Sequence, residues 1–295
     1  MVHNDASLDY VCPNYVWLNG EIIPQSDAHI NCNDRGFRFG DGIFTTIAVL
    51  QQAPIFWDLH FSRLQIGLDI LSISANIDNI IDAVQAIIHQ NNIINGLCRI
   101  IITRGNGSKG YLPTNATPPT IYIETQNTTP PIHNIYANQA VRLQLSKWRR
   151  PPPNCLPNTS KIMQGMNPIL AKIAAINAGY NEALMLSHDD FVSEAASSNI
   201  FWLEGEQLLT PPLTTGCLNG VMRQKLLQLG ATEKLTTINE LCECNGAFLT
   251  NCTMGITKIA SINDDELRQN HDLIAQLIKK ITTQITNEIN NFCAK

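Results

Sequence analysis

The chain has 295 residues, 44% of them hydrophobic and 15% charged, with a formal net charge of -5. A chain of this length buries roughly three quarters of its unfolded surface, enough for one large or two modest domains. The acidic balance excludes a typical nucleic-acid binder, which carries a basic excess. The one basic cluster, Arg142, Lys147, Arg149 and Arg150, is broken by Pro151-Pro152-Pro153 and reads as a solvated loop.

The nine cysteines are scattered and form no CxxC pair, so reduced thiols in a cytoplasmic protein are expected rather than a disulfide framework. Cys242 and Cys244 lack neighbouring ligands at metal spacing. The N-terminus shows no basic region followed by an apolar run, and no run of about 18 apolar residues occurs. Neither export nor membrane spanning is expected.

Residues 1–12 are polar and read as a frayed start. Val16 to Ile23 places apolar runs on either side of Asn19-Gly20, a strong hairpin signal. The glycine-rich stretch Asp34 to Gly42 reads as a tightly folded loop. Strands are predicted at Ile43–Leu50 and Pro54–Trp57, followed by a helix N-capped by Asp58 with Phe61, Leu64, Leu68 and Leu71 inward. Arg63 lies on that helix, and on its own it reads as a solvated charge. A second helix carries Ile80, Ile81, Val84, Ile87 and Ile88. Leu97–Arg104 and Pro118–Thr125 read as strands flanking a glycine-rich loop, whose residue order does not fit a P-loop.

The polar, proline-rich segment from Gln126 to Ile132 marks a domain boundary. Beyond it come a strand at Val141–Leu145 and a helix at about Asn167–Ala178. Strands at Glu182–Leu186 and Asn199–Leu203 and a helix from Gly220 to Leu229 follow. Ala247–Thr250 is a buried strand, and the last helix repeats Leu273, Ile274, Leu277, Ile278, Ile281 and Ile285 as a core face.

Three features of the second half suit one ligand: Lys161, Glu194 ahead of Ala195-Ala196-Ser197-Ser198-Asn199, and Gly220 opening a helix. Each is weak alone. A lysine before a helix is mostly solvated, and a glycine there is mostly a cap. Together they offer an amine for an aldehyde, a carboxylate for a ring nitrogen and helix amides for a phosphate. In this order and spacing the chain resembles the fold-type IV pyridoxal-phosphate enzymes, a family that includes branched-chain and D-amino acid aminotransferases and 4-amino-4-deoxychorismate lyase. The resemblance runs from about Val16 to Lys258.

The resemblance implies a two-domain α/β and α+β fold. A smaller N-terminal α+β domain (13–126) and a linker (127–134) would precede a larger C-terminal domain (135–295), with pyridoxal 5'-phosphate between the domains. It implies that Lys161 is catalytic and carries the cofactor, and that Glu194 holds the ring nitrogen. Arg63 and the amides of Val221 and Met222 would hold the phosphate, with Leu218, Gly220, Asn199 and Cys252 completing the cofactor contacts. Thr45, Lys109 and Tyr111 would contact substrate, Lys109 and Tyr111 by reaching a partner subunit of a homodimer. Four stretches resemble the lyase: Phe44-Thr45-Thr46 where aminotransferases carry a glutamate, the loop 104–111, Leu218 to Gln224, and Thr250-Asn251-Cys252. Lys109 and Gln164 depart from the lyase pattern, which has arginine and asparagine there. The implied reaction converts 4-amino-4-deoxychorismate to 4-aminobenzoate and pyruvate. The alternatives are a D-amino acid or branched-chain aminotransferase and, more distantly, a catalytically silent binding protein.

Overall fold

The computed structural model describes residues 15–113, 118–132, 139–268 and 271–293. The frayed start, Cys12 and positions 133–134 of the expected linker lie outside these. Among the described residues the cysteines are free and no helix is long and apolar enough to cross a membrane.

The N-terminal half runs β1 (Tyr15–Leu18), β2 (Glu21–Pro24), α1 (Arg35–Phe39), β3 (Gly42–Leu50), β4 (Ala53–Pro54), α2 (Trp57–Leu71), α3 (Ile80–Gln90), β5 (Asn95–Thr103) and β6 (Thr120–Asn127). Its six strands form one antiparallel sheet in the order β2-β1-β6-β5-β3-β4. The β1–β2 hairpin turns through Asn19 and Gly20, both at positive φ, as the Asn-Gly signal predicts. Strand alternation sends Ile43, Ile47, Cys98, Ile100, Ile102 and Ile123 into one core, closed by Leu64 and Leu68 of α2 and Val84, Ile87 and Ile88 of α3. Each such fully buried side chain contributes roughly 1.5–3 kcal/mol relative to exposure.

Two local expectations are corrected. The glycine-rich 34–42 stretch contains a short helix, α1, because the Asp34 side chain accepts the Gly36 amide and caps it. The strand expected at Pro54–Trp57 is only two residues long, since Phe56 in the left-handed region turns the chain straight into α2. Asp58 therefore falls within the first turn of α2 rather than at its cap.

The second half runs β7 (Val141–Leu145), α4 (Met166–Asn177), β8 (Glu182–Leu186), β9 (Val192–Ala195), β10 (Asn199–Glu204), β11 (Gln207–Thr210), α5 (Val221–Gln228), β12 (Thr232–Glu233), α6 (Ile238–Cys242), β13 (Ala247–Asn251), β14 (Gly255–Ile262), β15 (Asp265–Glu266) and α7 (His271–Cys293). The sheet order is β12-β11-β10-β13-β14-β7-β8-β9, with β15 on β14. Strand β9 pairs with β8 and also with β10 through Glu194 and Asn199, so the strands from β10 round to β9 close into a ring. The β7–β8 and β7–β14 pairs are parallel. Helix α6 carries a capping box between Thr237 and Glu240.

One core joins the halves. Ala48, Leu50, Ile55 and Phe56 pack with Phe201, Phe248, Val221 and Leu226, and with Ile274, Ile278, Ile281 and Ile285 of α7. The Phe201 and Phe248 rings stack at 5.5 Å. The apolar face read on the last helix is thus the lid of this shared core.

Candidate active site

Between the two sheets lies a cavity of about 790 Å³, lined from the first half by Phe44, Thr46, Arg63, Leu97 and Arg99. The second half contributes Arg150, Lys161, Glu194, Asn199, Leu218, Gly220, Val221, Met222, Thr250 and Cys252, among others.

The backbone of Lys161 is stitched to the start of β3. Phe44 N–H donates to the Lys161 carbonyl at 2.9 Å and Met163 N–H to the Gly42 carbonyl at 3.0 Å, around an Ile43–Ile162 bridge. The stitch aims the lysine along the cavity wall, its Nζ 4.8 Å from the centre of the Phe44 ring. Burial of the amine lowers its pKa to about 8, and the neighbouring Arg63 charge adds to the shift; Cys252 and Glu194 oppose it. A lysine in this state is partly neutral near physiological pH, which a nucleophile or base requires.

Glu194 ends β9 and is 5% exposed. Its Oε1 lies 3.0 Å from Arg150 Nε, and its Oε2 accepts from Asn199 Nδ2 at 3.0 Å. The Leu218 amide also bonds it. Burial raises the pKa of the carboxyl, against the pull of Arg150 and the Leu218 amide. Asn199 has a second task, donating to the Leu218 carbonyl at 2.8 Å. Gly220 follows two residues later, and a Cβ there would stand 2.1 Å from Asn199 Oδ1, so the close approach requires glycine.

Helix α5 begins at Val221 with no side chain capping it, and its first amides face the cavity. The Met222 amide meets the Cys252 thiol, whose pKa is raised by burial against the pull of Arg63 and Lys161. Opposite stands Arg63, 5% exposed. Arg63 Nη2 donates to Thr45 Oγ1 at 2.8 Å, and Thr45 Oγ1 lies 2.6 Å from His60 Nδ1. Because a guanidinium only donates, the threonine proton goes to Nδ1, and neutral His60 carries its own proton on Nε2. Burial and the Arg63 charge hold the His60 pKa well below the ordinary value. Arg63 Nε is buried without a partner.

These residues fit a pyridine ring bearing an aldehyde and a phosphate. The cavity offers an amine, an ionisable carboxylate, an uncapped helix start, and a buried cation with an unspent donor.

The structure brings Lys161, Glu194, Arg63, Leu218, Gly220, Val221, Met222, Asn199 and Cys252 to one cavity. It does not bring Thr45, Lys109 or Tyr111 there. Alternation along β3 turns Phe44 and Thr46 to the cavity and Thr45 to the core, where it is fully buried against Arg63 and His60. Lys109 and Tyr111 lie outside, Tyr111 being 90% exposed. Arg35 holds their loop by donating to the carbonyls of Ser108, Gly110 and Tyr111. Asp41 pairs with both Arg35 and Arg104 beneath it. Gln164 donates at 3.4 Å to the Phe39 carbonyl.

Three residues escaped the sequence reading. Arg99 reaches the cavity because Cys98, Ile100 and Ile102 take the buried face of β5, a period-two signal visible in the sequence. His60 sits one turn before Arg63, a spacing that places both on one helix face. Arg150 is corrected outright: the supposed solvated cluster delivers it to Glu194.

A model of the family described as amino-transferase class IV matches residues 42–262. The chain belongs to the class IV aminotransferase family. The family depends on pyridoxal 5'-phosphate, and a Thermus branched-chain enzyme of this fold is known with the pyridoxamine form. Among sequence relatives, the D-alanine aminotransferase of Staphylococcus epidermidis is 26% identical over 86% of this chain and 90% of its own. Among solved structures, the Escherichia coli branched-chain amino acid aminotransferase superposes with a TM-score of 0.85 at 22% identity, covering 94% of this chain and 96% of that one. The 4-amino-4-deoxychorismate lyase of Pseudomonas aeruginosa reaches 0.77 at 25% identity, covering 92% and 98%. Class IV membership therefore fixes the fold, the cofactor and an enzyme of aminotransferase or lyase type.

Proposed function

We propose that this class IV enzyme is a 4-amino-4-deoxychorismate lyase, producing 4-aminobenzoate and pyruvate. The observation that carries the reading is threonine at position 45, hydrogen-bonded between Arg63 and His60. A glutamate there, as aminotransferases of the family carry, would set a carboxylate beside Arg63 and offset the charge on this cation. The lyase-like segments 218–224 and 250–252 line the same cavity, and the Pseudomonas lyase shares the fold along nearly the whole chain.

When bound, the cofactor supplies an electron sink conjugated to the substrate amine. Arg63 and the first amides of α5 hold its phosphate, Leu218 lies along its ring, and Glu194 keeps a proton on its ring nitrogen. Lys161 Nζ, neutral in part near pH 8, takes the proton from the ring carbon that bears the amine. The neighbouring carbon–oxygen bond then breaks, the enolpyruvyl group leaves as the enol of pyruvate, and the six-membered ring becomes aromatic. Arg99, on the cavity wall within 3.5 Å of Thr46 Oγ1, faces a substrate carboxylate.

The exposed 108–112 loop serves, in this reading, the cavity of a second copy in a homodimer. Mixing Lys109→Ala and Lys161→Ala proteins tests this, because complementary subunits would recover activity that neither shows alone.

The deciding measurement is product analysis. Incubation with aminodeoxychorismate and no oxo-acid acceptor is expected to give 4-aminobenzoate and pyruvate in equal amounts. The second reading, an aminotransferase, is favoured by the names of the sequence relatives. It predicts instead glutamate from D-alanine or a branched-chain amino acid plus 2-oxoglutarate.

A further inference from the structure

Arg150 lies on the irregular segment between β7 and α4, where its backbone amide donates to the Leu186 carbonyl at 2.8 Å. Its Nε faces Glu194 Oε1 at 3.0 Å and the Gly216 carbonyl at 3.3 Å. The approach is built in: Gly216 sits at φ +83°, and a Cβ on it would stand 2.3 Å from the Pro151 carbonyl. Only a bare backbone lets the 213–218 turn close over Arg150 and Pro151. The contact is largely shielded, with the two side chains 18% and 7% exposed.

From this geometry we infer that Arg150 is a positioning residue that fixes the charge of Glu194 and so decides where the proton shared with the cofactor's ring nitrogen resides. The inference rests on the cofactor reading of the cavity and goes beyond it. An isolated carboxylate and a protonated pyridine facing each other in a poorly solvated site relax toward the neutral pair, the proton crossing to oxygen. A permanent cation on the far side of the carboxylate opposes that transfer, because it stabilises the ionised oxygen more than it repels the more distant ring. The ring then keeps its proton and its capacity to accept electrons.

The other charged or titratable groups facing Glu194 do not take this role. Arg223 is turned to the Pro211 carbonyl and to Glu233. Lys161 commits its amine to the cofactor aldehyde. The Cys217 thiol has its pKa raised by burial and by Glu194 itself, to about 11, and stays neutral. Asn199 Nδ2 and the Leu218 amide donate to the carboxylate but carry no charge.

The test uses the full chain loaded with pyridoxal 5'-phosphate carrying nitrogen-15 in its ring, with NMR reading the protonation of that nitrogen. Wild type is expected to show a protonated nitrogen. Arg150→Met is expected to move the signal toward neutral pyridine and to raise the acid limb of kcat/KM by about one to two pH units. Arg150→Lys, which restores a point charge, returns both toward wild type. In a Glu194→Gln background, adding Arg150→Met leaves the nitrogen signal where Glu194→Gln alone puts it. An Arg150→Met protein that is less heat-stable but unchanged in nitrogen signal and pH profile makes the residue a mere strut and overturns the inference. So does a wild-type nitrogen that is not protonated. A wild-type protein that takes up no cofactor overturns the cofactor reading, and this inference with it.

Discussion

The two ends of the cavity handle buried charge in opposite ways. At one end Glu194 is surrounded by Arg150, Asn199 and the Leu218 amide, so its charge is answered within the chain. At the other end Arg63 has the Thr45 hydroxyl on one nitrogen and nothing on Nε, with neutral His60 behind it. A charge already balanced is machinery for setting a protonation state. A charge left unbalanced is a seat for an anionic ligand. The contrast assigns ring and phosphate to their ends without reference to any relative.

The largest effect expected of a single change tests the point between the two ends. Lys161→Ala should abolish the visible absorbance of the lysine-bound cofactor and lower kcat/KM by about 10⁴-fold, the scale of losing base and nucleophile together. The contrast itself is sharpened by removing one charge at each end and measuring the cofactor-free protein. Glu194→Ala leaves Arg150 unpaired and should cost about 3 kcal/mol in urea unfolding. Arg63→Met removes an unbalanced cation while keeping its volume, so stability should hold or rise. Cofactor affinity in that variant should fall by about 10- to 100-fold, the worth of charged hydrogen bonds. Equal destabilisation by both changes would break the comparison.

A smaller effect is expected where the ends meet. Gly220→Ala would drive Asn199 off both Glu194 and Leu218, costing about 1–3 kcal/mol by thermal unfolding and weakening cofactor binding with it. The smallest is a pH dependence. With the Lys161 pKa lowered to about 8, the neutral amine is the minor form at pH 7 and the major form at pH 9. Stopped-flow cofactor uptake should therefore speed up by about tenfold across that interval and level off above it.

Much of this was legible in the sequence where a residue's neighbours along the chain decide its fate. Asn19-Gly20 announced its hairpin, and the Ile274 to Ile285 period announced its helix. Lys161, Glu194 and Gly220 were legible as a set because each has a distinct chemical task on one ligand. What escaped depends on contacts between distant segments. Arg150 stands in a basic, proline-broken stretch and becomes a partner of Glu194 only because the 213–218 turn closes on it. Thr45 was assigned to substrate from its motif, although alternation with Phe44 and Thr46 was enough to turn it away from the cavity. The Thr237–Glu240 capping signature was present in the sequence and went unread.

The hydrogen bonds from Phe44 to Lys161 and from Met163 to Gly42 have a consequence for assembly of the molecule. They seam together residues more than a hundred positions apart, so neither half of the chain can finish the lysine's surroundings alone. During synthesis, the amine leaves the ribosome long before β13 and β14 arrive to complete the ring that holds Glu194 in place. Capture of the vitamin-derived group is therefore a late event in maturation, and fragments divided between β6 and β7 should bind it only after they have found each other.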